Sequence, residues 1–308
     1  LHPEPLDCVF SSESYGDRLA AELAAFERDP STAAYDRVVD RLVTRFGVRT
    51  ARFDKDLGFF LNDRPTKILG VCCHQDHAGV GSALPDAVQY FRIARLKEMG
   101  ANAYRTSHNP PTPELLDACD SLGMLVMDEN RQFNPAPEYR AQLEWLVRRD
   151  RNHPSVILWS VFNEEPMQGT PSGVEMVKRM AHWVRALDDS RPVTAAMNGA
   201  FFDPVNVAQV VDVTGFNYYQ GDYDRYHRLN PTKPMTSSED PSAFMTRGVW
   251  KTDMAAHEVS SYDTDAAEQQ LEKLQKAQEV TVAIVQPLRV NLPLRGQRHV
   301  FTQVLQRR

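Results

Sequence analysis

The chain has 308 residues, a net charge of -6, 42% hydrophobic and 25% charged residues. That is the balance of an ordinary globular protein of one large domain or two modest ones. It argues against nucleic acid as a partner, which calls for a basic face, and no apolar run approaches the ~18 residues of a membrane span. Four cysteines, two of them adjacent (Cys72 and Cys73, with Cys8 and Cys119), do not suit a disulfide framework. We read them as buried, reduced thiols, which fits the cytoplasm better than secretion.

Residues 1–50 carry weak signals, the clearest a short helix over Leu19–Phe26 ended by Asp29-Pro30. Gly58 to Leu61, an Asn62-Asp63 turn and Thr66 to Leu69 read as a hairpin. From there the chain alternates. Ile68–Cys73 is a short apolar strand that ends at His74-Gln75-Asp76-His77. Pro85-Asp86 opens a helix to Met99 with Ala87, Phe91 and Ala94 on one face, stopped by Gly100. A second strand, Ala101–Thr106, ends at Ser107-His108-Asn109; Thr112 and Pro113 then start a helix that stops at Gly123. Met124–Met127 is a third strand, ending at Asp128-Glu129-Asn130, and Glu138–Arg149 is helical with Leu143 and Leu146 as core candidates.

The fourth strand is the most informative. Val156-Ile157-Leu158-Trp159-Ser160-Val161-Phe162 is almost wholly apolar and runs into Asn163-Glu164-Glu165. Such a run reads as a strand buried on both faces, with its polar end at a cleft. A helix over Val174–Leu187 and strands at Pro192–Met197, Val211–Phe216 and Pro234–Ser238 follow, the last two ending at Asn217-Tyr218-Tyr219 and at Glu239-Asp240. Repeated βα units with polar strand ends predict a (β/α)8 TIM-type barrel with its site on the C-terminal face. A doubly wound open sheet would carry a glycine-rich phosphate loop after its first strand, and none is present. No eighth strand is recognised. After Asp265 the pattern changes to a charged helix, Ala266–Gln278, and possible short strands at Glu279–Val285 and His299–Leu305. The barrel is therefore expected to be incomplete, with two open edges.

Glu164 and Glu239 would end the fourth and seventh strands and face one mouth. Two carboxyl groups so placed supply an acid and a nucleophile or base for glycosidic hydrolysis. An isolated glutamate is usually a surface loop acid, but the strand-end position on a barrel favours function. Glu165 competes with Glu164. Adjacent side chains on an extended backbone point opposite ways, so Glu165 is expected to turn aside to a basic loop residue.

At this point the sequence resembles a known family. Asp150-Arg151-Asn152-His153-Pro154-Ser155 through Trp159-Ser160 and Asn163-Glu164 is similar to the acid/base signature of glycoside hydrolase family two, the β-galactosidases, β-glucuronidases and β-mannosidases. Gly70 to His74, Gly100 to Pro110, Gly123 to Asn130 and Ser238-Glu239 resemble its other strand motifs in order, so the resemblance covers about Arg45 to Asp265. It implies retaining hydrolysis of a carbohydrate substrate, most like a terminal β-galactoside, with Glu164 as acid/base and Glu239 as nucleophile. It implies that Asn163 binds the sugar 2-hydroxyl, that Arg105 lies beneath the nucleophile, that His74 and His108 contact the sugar and that Tyr218, or less favourably Tyr219, hydrogen-bonds the nucleophile. For the histidines and tyrosines the alternative is simple packing. A β-glucuronidase would need cations for a carboxylate, for which Arg247 and Lys251 are candidates. A non-catalytic carbohydrate-binding fragment is the reading from another class.

No cofactor is expected. His74 and His77 beside Cys72 and Cys73 offer zinc-type atoms, but the two cysteines cannot face one way on a strand and no second ligand pair follows. The magnesium ligands of some family members are replaced by Asn130-Arg131-Gln132-Phe133. By domain, residues 1–50 are expected to be the end of an immunoglobulin-like β domain and linker, 51–265 the catalytic barrel and 266–308 an unassigned tail. The chain does not begin with methionine and is expected to derive from a larger enzyme by truncation, with a homo-oligomer the partner expected for the complete form.

Overall fold

A computed structural model describes residues 46–240 and 282–285. The expectations for residues 1–45, for the helix at 266–278 and for the strand at 299–305 fall outside these. Strands β1 (Ala51–Asp54), β2 (Gly58–Leu61) and β3 (Arg64–Pro65) form an antiparallel sheet in that order. Asn62 and Asp63 both have positive φ (51° and 61°), the two-residue turn that matches strand twist. The hairpin expected from the sequence is thus present, but its return strand is Arg64–Pro65, and Ile68 already belongs to the barrel.

The barrel strands are β4 (Ile68–Cys72), β5 (Ala103–Arg105), β6 (Leu125–Glu129), β7 (Val156–Asn163), β8 (Val193–Met197), β9 (Val213–Asn217), β10 (Met235–Asp240) and β11 (Val282–Val285), closed in a ring. All neighbours are parallel. The contiguous run from Ile68 to Asp240 supplies seven strands, as expected, and carries no family-type eighth strand. Its place is taken by β11, which pairs Val282 with Ile68 on one side and Ala283 with Ser237 on the other. The expectation of two open backbone edges is thereby corrected: β4 and β10 both have a partner. Val282–Val285 falls within the short strand expected at Glu279–Val285; that it closes the ring is a matter of long-range pairing, which local patterning does not reveal.

Helices α1 (Asp86–Met99), α2 (Pro113–Leu122), α3 (Pro137–Asp150), α4 (Pro171–Arg185) and α5 (Tyr223–Leu229) lie between the strands in chain order. Gly100 and Gly123 end α1 and α2 in the left-handed conformation, φ 104° and 68°. Thr112 holds the N-cap position of α2 but makes no side-chain cap bond. The α1 face differs from expectation. Ala87 and Phe91 are exposed, and Gln89 and Ile93 are buried instead. In such a short amphipathic helix the apolar residues on two faces compete, and the direction of the flanking strands decides.

Two apolar clusters fill the fold. One lies between strands and helices and contains Leu116, Val126, Leu143, Val161, Phe162 and Val177. The other includes Ile68, Ala103, Leu125, Ile157 and Val213 from near the strand starts, capped by Phe59 of the hairpin. This second cluster lies mostly toward the strand starts, and most strands end at the opposite side in polar residues: Arg105, Glu129, Asn163, Asn217 and Asp240. Cys72 and Cys119 are buried and Cys73 half-buried, all three as free thiols.

Candidate active site

Strand ends deliver the site. Arg105 closes β5 and is fully buried with its guanidinium across the barrel. Its Nη1 donates to Glu239 Oε2 (2.8 Å), to the Ser238 carbonyl (3.3 Å) and to Cys72 Sγ (3.3 Å). Its Nε and Nη2 donate to Glu129 Oε2 at 2.9 and 2.6 Å, and Nη2 also donates to Asn163 Oδ1 at 2.6 Å. Burial alone would lower the proton affinity of Arg105, but the charges of Glu129 and Glu239 raise it above the ordinary value. Cys72 itself is pushed up to about 12 by burial and remains a neutral thiol.

Glu129, at the end of β6, has no accessible surface and no direct role in the sequence reading. It receives His108 Nδ1 at 2.9 Å and Ser160 Oγ at 2.8 Å besides Arg105. Burial raises its pKa, yet Arg105 and His108 outweigh that and hold the carboxyl below its usual range. Because an ionised carboxylate only accepts, the proton of His108 belongs on Nδ1, and Nε2 faces Glu239 Oε2 at 3.8 Å. His74 stands at the rim, its ring 4.9 Å from that of His108 and nearly perpendicular to it. Partial desolvation and the facing His108 lower its pKa.

Glu239 is almost fully buried. Tyr218 Oη donates to its Oε1 at 2.8 Å, and Asn217 Nδ2 lies 3.3 Å from its Oε2. The same Asn217 nitrogen reaches Glu164 Oε1 at 2.8 Å and Asn163 Oδ1 at 3.0 Å. Ser238 Oγ fixes the other end of that amide through Asn217 Oδ1 at 2.6 Å. One side chain, Asn217, therefore joins the ends of β7, β9 and β10.

The backbone explains how adjacent residues share the mouth. On regular strands Asn163 and Glu164 would point apart. Asn163 ends β7, and Glu164 takes φ 54°, so both side chains reach Asn217. Asn217 and Tyr218 repeat the device: Tyr218 has φ 62° and both contact Glu239. Positive φ is uncommon outside glycine and costs conformational energy, which the surrounding hydrogen bonds must hold in place. Register shifts between Ser160 and Asn163 on β7, and between Ser237 and Glu239 on β10, add one residue to each strand near its exit. Bulges of this kind re-aim side chains.

The structure thus brings Glu164, Glu239, Arg105, His108, Asn163 and Tyr218 into one network, with His74 at its edge. Tyr219 is half-exposed and packs against Phe201 at a ring distance of 5.8 Å, so its contact is not with Glu239. Glu165 makes no ion pair within 4 Å among the described residues, so its expected pairing with a basic loop residue is not formed; burial raises its pKa and the charge of Arg131 opposes this. Sequence patterning does not single out Glu129 or Asn217 as connectors. The signal the sequence does carry is that both end strands in an acid or amide, as Asn163 does.

Comparison with known proteins agrees with this geometry. The family model described as glycosyl hydrolases family 2, TIM barrel domain, matches residues 54–135 and 134–278. A β-galactosidase of Bacteroides ovatus is 35% identical over 260 residues, covering 70% of this chain and 31% of that protein. The mouse β-glucuronidase is 32% identical over 256 residues, covering 79% of this chain and 39% of that protein. Among solved structures, a glycosyl hydrolase family 2 member from Bacteroides cellulosilyticus has a TM-score of 0.65 at 31% identity, covering 78% of this chain and 30% of the other. The chain therefore spans well under half the length of these relatives. With the family model matched over most of the chain, the chain belongs to glycosyl hydrolase family 2, of which it carries the TIM barrel domain.

Proposed function

We propose that this barrel hydrolyses β-glycosidic bonds with retention of configuration and acts on terminal β-galactosides. The observation that carries the reading is the single Asn217 Nδ2 within hydrogen-bond range of both Glu164 and Glu239. Those two contacts keep the facing oxygens within roughly 6 Å, against about 5–5.5 Å between the carboxyls of retaining enzymes and 6.5–9.5 Å in inverting ones.

Glu239 attacks the anomeric carbon. Arg105 and Tyr218 neutralise and hold its carboxylate, so it is ready to form the glycosyl-enzyme bond. Glu164 gives its proton to the leaving oxygen, then takes one from the water that breaks the intermediate. Asn163 has its Oδ1 occupied by Arg105 and Asn217, which turns its amide nitrogen to the sugar 2-hydroxyl. His108 and His74 line the route to Glu239 and meet further hydroxyls.

The similarity to the Bacteroides ovatus β-galactosidase supports the sugar named. So does the state of the cations described around the mouth. Arg105 is committed to two carboxylates, Arg131 sits in the field of Glu165, and Arg92 donates to the His74 and Gln75 carbonyls. An uncharged sugar suits that distribution better than a uronic acid. Arg247 and Lys251 fall outside the described residues.

Nitrophenyl β-galactoside and β-glucuronide are the substrates for the test, with Glu164→Gln and Glu239→Gln beside the parent chain. We expect galactoside turnover that falls at least about 10³-fold in each variant, a transition-state loss of roughly 4 kcal/mol. Undiminished hydrolysis in either variant removes that residue from its role, and preference for the glucuronide overturns the choice of sugar.

A further inference from the structure

The motif Asp150-Arg151-Asn152-His153-Pro154-Ser155 precedes β7, so its histidine lies at the N-terminal end of the barrel, opposite the mouth. The proposed hydrolysis makes no use of it. His153 Nδ1 lies 2.7 Å from Asp120 Oδ2 near the end of α2, and Asp117 stands one helical turn earlier. One potential ligand atom from each of Asp117, Asp120 and His153 lies within 4.8 Å of the other two, and this is the one such cluster among the described residues.

The cluster is built rather than accidental on three counts. The His153 backbone is fixed on both sides, its N–H donating to the Asp150 carbonyl (2.9 Å) and its own carbonyl accepting from Arg191 Nη2 (3.0 Å). Asp120 is fixed by the Ser155 N–H at 3.0 Å to its Oδ1. The Ser155 hydroxyl is buried and makes no hydrogen bond of normal geometry. It is an unused polar atom beside the cluster.

We propose that Asp117, Asp120 and His153 form a binding site for a divalent transition-metal ion of the zinc type. One imidazole with two carboxylates suits zinc better than magnesium, which prefers oxygen ligands and retains its water. At metal–ligand lengths of roughly 2.0–2.2 Å, tetrahedral ligand atoms lie about 3.4 Å apart, so the cluster must tighten by about an ångström. Asp117 is exposed and can swing in, while Asp120 and His153 are already in place. The ion replaces the proton now shared by His153 Nδ1 and Asp120, and water fills the fourth position. Bound there, it ties α2 to the turn before β7 without touching the sugar site.

Equilibrium dialysis of the full 308-residue chain against Zn²⁺, followed by elemental analysis, tests the site. The carboxylates of the mouth could also take zinc, so the variants decide. We expect about one equivalent assigned to this cluster, its affinity reduced at least about tenfold in Asp117→Asn and in His153→Gln. Zinc should raise the Tm of the parent chain and not of Asp117→Asn. Asp117→Asn should leave glycoside turnover unchanged, because Asp117 is on the far side of the barrel. Absence of stoichiometric zinc, or binding of equal strength in both variants, overturns the proposal; neither outcome bears on the hydrolytic reading.

Discussion

Glu129→Gln isolates the part of the site that works without touching substrate. The glutamate accepts from Arg105 Nε and Nη2, from His108 and from Ser160, all within 2.9 Å. An amide of the same shape keeps one acceptor oxygen and brings an NH₂ toward groups that donate. The fully buried Arg105 loses one of its two counter-charges and retains Glu239. Breaking a buried ion pair costs about 3–5 kcal/mol when a partner is removed outright, and an isosteric amide should recover part of it, leaving roughly 2–3 kcal/mol. We expect that loss in the denaturant midpoint. We also expect a fall of about 10²-fold in kcat/KM on aryl β-glycosides, since Arg105 is then drawn wholly to Glu239 and His108 loses its tether. The pH dependence adds a signature. Glu129 is depressed in the folded state, so its contribution is present above the unfolded glutamate value and is lost as pH falls through the folded one. The acid limb of the parent chain should therefore be steeper than that of Glu129→Gln. A variant with the parent's midpoint, acid limb and kcat/KM would refute the claim that Glu129 positions Arg105.

Two further perturbations probe the scaffold. Asp128 has no accessible surface, its oxygens make no hydrogen bond of normal geometry, and burial followed by the nearby Asp150 raises its pKa well above the usual range. The folded state then binds the extra proton, so the penalty grows as pH rises from the unfolded value toward the folded one; Asp128→Asn should gain at least about 1.4 kcal/mol near pH 8 and nothing near pH 4, read by urea unfolding at both. Gly173 lies in the first turn of α4, where a β-carbon would stand 2.0 Å from the Met167 carbonyl oxygen. Gly173→Ala should cost about 1–3 kcal/mol despite its better helix propensity and lower Tm by several degrees, and an unchanged Tm would mean that the preceding turn yields freely.

Much of this protein is determined by sequence alone. The apolar run Val156–Phe162 is a strand in any fold that buries both its faces, and Gly100 and Gly123 stop helices because each must adopt positive φ. The order of elements, and polar groups at the strand exits, followed from such local rules. The motif residues Glu164, Glu239, Arg105, His108, Asn163 and Tyr218 could be named before any contact was known. Tertiary structure decided what local rules cannot. Closure by Val282–Val285 depends on partners more than forty residues away, and the buried face of α1 depends on the strands beneath it. The alternation of side chains along a strand predicts that Asn163 and Glu164 diverge. They converge because Glu164 leaves the extended conformation, beyond a bulge that one extra residue makes against β8. Asn217 and Glu129 gained their importance the same way. Each is an ordinary strand-end residue until the ring of strands sets it between charges from several others, and only that arrangement makes one amide or one carboxylate hold the site together.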